Sequence, residues 1–399
     1  MSLASGSVLA SHWQLDPAVT FLNHGSFGAC PTQVLKSQRK WRDRLERQPV
    51  RFLGREIEPL LDEARAVLAN LVGADAEDLV FVPNATTGVN SVLRSFDFRP
   101  GEEILITNHG YNACNNVARF VADRAGAKVV VAQVPFPLSS PDEVFEAVLA
   151  AVTPRTRLAL VDHVTSPTGL VFPIERIVRE LEGRDVRVLV DGAHAPGMVP
   201  LNLRELNASY YTGNGHKWLC GPKGAGILVV RRELQSSVRP YVISHGANST
   251  RTDRSRFLIE FGNVGTTDPS AMLTLPEAVR YVASLVPGGW PEVMERNHLL
   301  ALEARRVLCV ALEVPPPAPE SMIGSLVALP LPDARVPPSP PLLLDPLQVA
   351  LHDRHGIEVP VFPYPGYPRR LVRISAQLYN SVAQYESLGR SLREELARQ

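Results

Sequence analysis

Two segments decide the fold: VLVDGAHAPG, residues Val188–Gly197, and YYTGNGHKWLCGPKGAG, residues Tyr210–Gly226. The first ends an apolar run on Asp191. Its carboxylate is therefore expected at the C-terminal edge of a buried parallel strand, where ligands bind in open α/β sheets. The second places Lys217, just after His216, in a glycine-rich loop beside Trp218, Leu219 and Cys220. Apolar neighbours lower a lysine's pKa and make its amine usable near neutrality. A carboxylate and an amine at one sheet edge suit a pyridine-aldehyde cofactor. The Lys forms a Schiff base, and the Asp keeps the ring nitrogen protonated so that the ring acts as an electron sink. Taken singly, Asp191 in Asp-Gly reads as a turn residue and Lys217 as a surface lysine; the pairing distinguishes them. Gly-Pro-Lys-Gly lacks the Gly-Lys-Ser/Thr order of a phosphate-binding P-loop, which excludes that alternative.

Outward from these segments, short apolar runs alternate with helical periodicities. DLVFVPN, EEILITN, KVVVAQV, TRLALVDHV, VRVLVDGAH, ASYYTGN and GAGILVVRR read as strands, with helical segments between most of them. This alternation predicts an α/β fold, with a mostly parallel seven-stranded sheet covered on both faces. Upstream, the strand VTFLN and the turn HGSFG lead to two helices, PTQVLKSQRKWRDRLER and EPLLDEARAVLANLVGA. Past residue 270 the rhythm breaks into two helical segments, two proline-rich connections (VPPPAPE and PLPDARVPPSPPLLLDP), the strand LVRISAQLYN and a charged helix. The expected division is an N-terminal arm over 1–30, a large α/β domain over 31–270 and a smaller C-terminal α+β domain over 271–399.

Lys plus Arg and Asp plus Glu number 41 each, so no net field attracts nucleic acid or an anionic membrane, and neither is expected as a partner. Cys30, Cys114, Cys220 and Cys309 lack metal-type spacing. They are expected as free thiols in a reducing compartment, mostly as small buried hydrophobes. No basic leader opens the sequence and no apolar stretch approaches the roughly 18 residues of a membrane helix. A cytoplasmic location is expected.

Other segments carry candidate chemistry. Asn84–Gly88, at a strand-to-helix junction, offers hydroxyls and backbone N–H groups for a phosphate, or ordinary N-capping. Tyr111 is placed to stack on a flat ring or to begin a helix. Arg373 is a lone cation in an apolar strand and needs a carboxylate, internal or from a substrate. His352 and His355 lack a third metal ligand nearby and read as a solvated helix face. Arg251, Arg254 and Arg256 read as a solvated loop, or as a second anchor for an anionic substrate. Tyr364 and Tyr367 either shape the pocket or pack in a proline-rich turn.

With DGAHAPG and GNGHKWLCGPKG, the motifs FLNHGSFG, NATTGVN, DHVTSPTG, NVGTTDP and VRISAQLYN occur in the order found in one group. The sequence resembles the class V aminotransferase family of fold-type-I pyridoxal-phosphate enzymes, in its isopenicillin N epimerase-like subgroup. The resemblance covers nearly the whole chain. It implies pyridoxal 5'-phosphate as cofactor, an internal Schiff base at Lys217 and Asp191 on the ring nitrogen. It further implies that Tyr111 stacks on the ring and that Thr86, Thr87, Asn214 and His216 hold the phosphate. His194 and Ser166 would lie near the ring hydroxyl, and Arg373 would grip the substrate carboxylate. Thr266 and Thr267 would reach the phosphate of a neighbouring subunit in a homodimer. The cysteine desulfurases of this family carry a nucleophilic Cys shortly before that Arg. HGIEVPVFPYPGYPRRLVR has none, so desulfurase activity is not expected.

The expected substrate is an amino acid or an amino-acid-derived molecule, deprotonated at Cα by Lys217. Asn23 and His24 in NHGSFG are expected at the substrate, and epimerisation then needs a second proton donor, for which His24 is the candidate. Carbon–sulfur β-elimination needs one base only, and transamination reprotonates the cofactor. Epimerase-like chemistry is favoured, with β-elimination second. A non-catalytic cofactor-binding protein ranks last, and would gain support from an internal carboxylate paired with Arg373.

Overall fold

The computed structural model describes residues 4–338, 340 and 344–399. The first three residues of the arm and residues 339 and 341–343 of the second proline-rich connection lie outside that description. β1 (Thr20–Phe21) opens the chain and the predicted strands follow: β2 (Leu79–Val82), β3 (Glu103–Thr107), β4 (Lys128–Ala132), β5 (Thr156–Asp162), β6 (Arg187–Gly192), β7 (Tyr210–Asn214) and β8 (Gly226–Val230). β2 to β8 form one sheet in the order β2-β8-β7-β6-β5-β3-β4. It is the expected seven-stranded, mostly parallel sheet; β8 alone runs antiparallel, to both β7 and β2.

Alternation along the strands sorts the core onto two faces. Ala159, Val161, Val188 and Val190 face one side, with Leu68 and Trp218. Leu158, Leu160 and Leu189 face the other, where they meet Val89 and Val92 of the helix Ala85–Ser95 and Ala118 of the helix Asn112–Ala125. Both faces are covered by apolar side chains, which is why these strands read as continuous hydrophobic runs.

The C-terminal part holds β9 (Leu326–Leu331), β10 (Ile357–Glu358), β11 (Val361–Pro363) and β12 (Arg370–Ser375). β11, β12 and β9 form an antiparallel sheet in that order. The helices Gly289–Leu312 and Val382–Ala397 contribute Leu308, Tyr385, Leu388 and Leu392 to its core. Two expected boundaries differ from the packing. The helix Ser270–Ser284, allotted to the C-terminal domain, buries Leu275 and Val282 in the core of the large sheet. The arm is not independent: β1 pairs in parallel with β10, and Leu22 lies in the C-terminal core. Among the described residues all four cysteines are buried and free, and no helix is long and apolar enough to cross a membrane.

Candidate active site

Lys217 lies in the turn between β7 and β8. Its loop is shaped by contact with the arm: at Gly28, with φ +72°, an added Cβ would stand 1.8 Å from the carbonyl oxygen of His216. Only glycine combines that backbone with that approach. Lys217 Nζ is 3.0 Å from His194 Nε2, and the Trp218 indole N–H donates to His194 Nδ1 across 3.3 Å. Indole donates only, so Nδ1 is the acceptor and Nε2 carries the ring proton. The bond to Lys217 therefore runs from imidazole to a free amine. Burial, reinforced by the positive charge of Arg373, lowers the Lys217 pKa to about 7. Burial and the lysine's charge hold His194 well below its usual range.

Asp191 ends β6, 3% exposed. Oδ1 accepts the Ala193 N–H at 3.0 Å and Oδ2 accepts the Cys114 thiol at 3.2 Å. Cys114 thus has a polar contact that the buried-hydrophobe reading missed. Tyr111 precedes the helix of Cys114 and is 45% exposed. Burial, with the Cys114 and Asp191 charges, raises its pKa, and the positive charge of Arg373 acts on the same phenol. Asp162, at the same height on β5, is the register partner of Asp191 and is equally buried. It was not singled out from sequence, although TRLALVDHV ends on a carboxylate just as VRVLVDGAH does.

The junction Asn84–Gly88 shows the capping alternative. Asn84 Oδ1 accepts the Thr87 N–H at 2.9 Å. Asn214 Oδ1 accepts the Ala85 N–H at 2.8 Å, so Asn214 holds the helix start itself. His216 is half-buried, and its Nδ1 is buried without a hydrogen-bond partner among the described residues. Burial and the charge of Lys217 lower its pKa to about 4.

Arg373 is 4% exposed and has no carboxylate partner among the described residues. Its guanidinium donates to the Ser166 carbonyl, to Ser166 Oγ at 3.3 Å and to Ser26 Oγ at 3.1 Å. Nε is buried and unpaired, and burial lowers the pKa to about 10. Ser26 in turn donates to Asn23, whose Nδ2 donates to Glu358 at 3.0 Å. Asn23 therefore acts through Ser26 on Arg373.

His24 departs from the expected proton donor. Its Nδ1 is 2.8 Å from the Tyr379 hydroxyl and its Nε2 3.0 Å from the Lys217 carbonyl. Burial lowers its pKa to about 3. Both nitrogens are committed to protein atoms in a neutral ring, so it braces the lysine loop. Thr266 and Thr267 are exposed on the loop after the helix Arg256–Gly262 and do not join this site. The Arg-rich loop is not a free anion anchor: Arg251 pairs with Glu58 and Asp253, Arg254 with Asp62 and Glu58, and Arg256 with Glu260. Glu394 and Glu395 come near His355, contrary to the expected lack of a third ligand, but Arg354 and Arg398 already pair with Glu395.

The class V aminotransferase family model matches residues 29–311. The chain belongs to the class V aminotransferase family. It is 38% identical to isopenicillin N epimerase of Amycolatopsis lactamdurans over 95% of this chain and 96% of that protein. It is 31% identical to a probable chloroplastic L-cysteine desulfhydrase of Arabidopsis thaliana, over 97% of this chain and 85% of that protein. The apo cysteine desulfurase of Thermococcus onnurineus NA1 superposes with a TM-score of 0.80 at 20% identity, each chain covered in full. The protein is a pyridoxal-phosphate-dependent enzyme of fold type I. Among the described residues the site fits that cofactor: a free amine at Lys217, a buried carboxylate with no cation paired to it at Asp191, and an unpaired buried Nδ1 at His216.

Proposed function

We propose that this enzyme removes the Cα proton of an α-amino acid or a molecule derived from one, in the manner of the isopenicillin N epimerase-like group. The observation that carries this is Arg373: a buried guanidinium whose hydrogen bonds, among the described residues, run to hydroxyl and carbonyl oxygens, and whose charge reaches Lys217 and His194. A guanidinium in that state favours a bidentate carboxylate from outside the chain.

In this reading Lys217 holds the cofactor aldehyde covalently and Asp191 faces the ring nitrogen. Tyr111 covers one ring face, and Thr86, Thr87 and His216 hold the phosphate. Asn214 contributes by fixing the helix start, and Ser166 by fixing Arg373. Pyridoxal phosphate, when bound, supplies the electron sink that acidifies Cα. Arg373 sets the carboxylate, and with it the Cα–H bond, toward Lys217. Burial and the Arg373 charge lower the Lys217 pKa to about 7, and His194 donates a hydrogen bond to the amine, so the amine accepts the Cα proton near neutral pH. The exposed Thr266 and Thr267 are assigned to a partner's phosphate in a homodimer, and the free thiols accord with a cytoplasmic enzyme.

Epimerisation follows when the proton returns to the opposite face. The committed state of His24 favours a second reading, expulsion of a β-substituent, because that outcome needs no second donor. The test begins with the absorption spectrum before and after borohydride, for the wild type and Lys217→Ala. Candidate amino acids are then incubated in deuterated water. Exchange at Cα with inversion supports epimerisation, and release of a keto acid supports elimination. A wild-type protein that neither takes up pyridoxal phosphate nor exchanges Cα protons defeats both.

A further inference from the structure

The β11–β12 hairpin projects a second group of side chains on the side of Arg373. Phe362 pairs with Leu371, and the Tyr364 N–H donates to the Arg369 carbonyl. Alternation therefore puts Phe362, Tyr364, Leu371 and Arg373 on one face. The Arg373 guanidinium carbon indeed lies 5.7 Å from the Phe362 ring centre. Beyond it, the Tyr364 ring lies 5.3 Å from that of His109 and 5.9 Å from that of Phe136. His109 Nδ1 is 2.7 Å from the hydroxyl of Thr168, two residues past the Ser166 that holds Arg373. Tyr364 and Arg373 thus flank the same turn.

The Tyr364 hydroxyl is buried and finds no hydrogen-bond partner among the described residues, whereas Tyr367 in the same loop is 47% exposed. A buried, unpaired hydroxyl costs stability that phenylalanine in the same space would not. The hydroxyl therefore answers to a partner that the chain does not supply.

We propose that Phe362, Tyr364 and Phe136, backed by the buried His109, seat the substrate side chain, with the Tyr364 hydroxyl bonded to its tip. This rests on the reading of Arg373 as the carboxylate anchor. Three walls of the seat are aromatic and uncharged. His109 is kept neutral by burial, which lowers its pKa to about 4, and its Nε2 is taken by the Val134 carbonyl at 3.1 Å. The seat selects an uncharged side chain with an apolar stem and a hydrogen-bonding end.

The test compares wild type with Tyr364→Phe in two measurements. In the holoenzyme, the change in cofactor absorbance gives Kd for L-glutamine, L-methionine and L-glutamate as probes. Wild type is expected to bind glutamine more tightly than glutamate. Tyr364→Phe should weaken glutamine about 5- to 10-fold, the worth of one neutral hydrogen bond, and leave methionine within about 2-fold. In the apoprotein, Tyr364→Phe should raise Tm. No preference for glutamine over glutamate, equal effects on glutamine and methionine, or an unchanged apoprotein Tm overturns the proposal. A wild type whose spectrum answers to none of the three probes overturns the Arg373 reading beneath it, and is recognised because every probe fails alike.

Discussion

Asp162 and Asp191 are register partners on adjacent parallel strands, both buried, with side chains on the same sheet face. Two carboxylates so placed cannot both ionise readily. Burial and the Asp191 charge push Asp162 well above the carboxylate range, while burial raises Asp191 less far against the hydrogen bonds from Cys114 and Ala193, so Asp191 is the member that ionises first and the one proposed to face the ring nitrogen. Asp162→Asn should therefore retain pyridoxal phosphate within about 2-fold of wild type, while Asp191→Asn weakens it about tenfold or more, one unit of pKa-scale coupling. Absorbance titration of the apoproteins checks both.

The same group has a pH signature. A carboxyl whose folded pKa lies above its unfolded value favours the fold at low pH, and that contribution is lost as pH rises through the folded pKa. The melting advantage of Asp162→Asn over wild type should be small at pH 5 and grow toward pH 8, measured on the apoprotein. An advantage that shrinks with pH would show Asp162 to be ionised in the fold.

Lys217 should behave as a base near neutrality. With its pKa lowered to about 7 by burial and Arg373, the free amine fraction rises through pH 7, far below that of an exposed lysine. The rate at which apoprotein captures pyridoxal phosphate should follow that midpoint. Trp218→Phe removes the donor that fixes the proton on His194 Nε2. It should shift the capture midpoint upward and lower kcat about tenfold, a fraction of a full general-base contribution of about 10²- to 10⁴-fold, with KM changed little.

Arg373→Lys keeps the charge and loses the planar fork. Loss of a charge-assisted hydrogen bond worth about 1.5–3 kcal/mol should raise KM for an amino acid by about 10- to 100-fold. The cofactor band should be unchanged, which separates this effect from loss of pyridoxal phosphate.

Arg370 is a structural counterpart three residues away. It pairs with Asp345 at 2.8 Å with both side chains almost fully buried, and Asp345 also caps the helix Pro346–His355. Arg370→Leu strands that carboxylate and should cost about 3–5 kcal/mol of stability. Chemical denaturation should report the loss, with kcat of the surviving folded protein near wild type.

The large sheet was legible in the sequence because most of its strands are apolar runs between turn residues, as in VRVLVDGAH. β9 was not: Pro330 interrupts LVALPL, and proline inside a run argues against a strand. β10 has two residues and exists only through its pairing with β1, a contact that no local pattern announces. At the site, Lys217 and Asp191 stood out by their apolar surroundings. His24 was misread because a histidine's proton role depends on its partners, here Tyr379 and the Lys217 carbonyl, which are distant in sequence. Cys114 was read by composition, and its bond to Asp191 depends on how a helix lies across the sheet.

The brace on the lysine loop also fixes an order of events during synthesis. His24 holds the Lys217 carbonyl and is held by Tyr379, 355 residues later. At about 5–20 residues per second, the ribosome delivers Tyr379 roughly 20–70 s after His24. In the later part of that interval, once β8 has been made, Lys217 and Asp191 can already lie on a formed sheet while the arm has no β10 to pair with and Arg373 is unmade. A nascent chain at that stage can present its reactive lysine before it can select what reacts there, so the stretch from Arg373 to Tyr379 decides when the enzyme becomes selective.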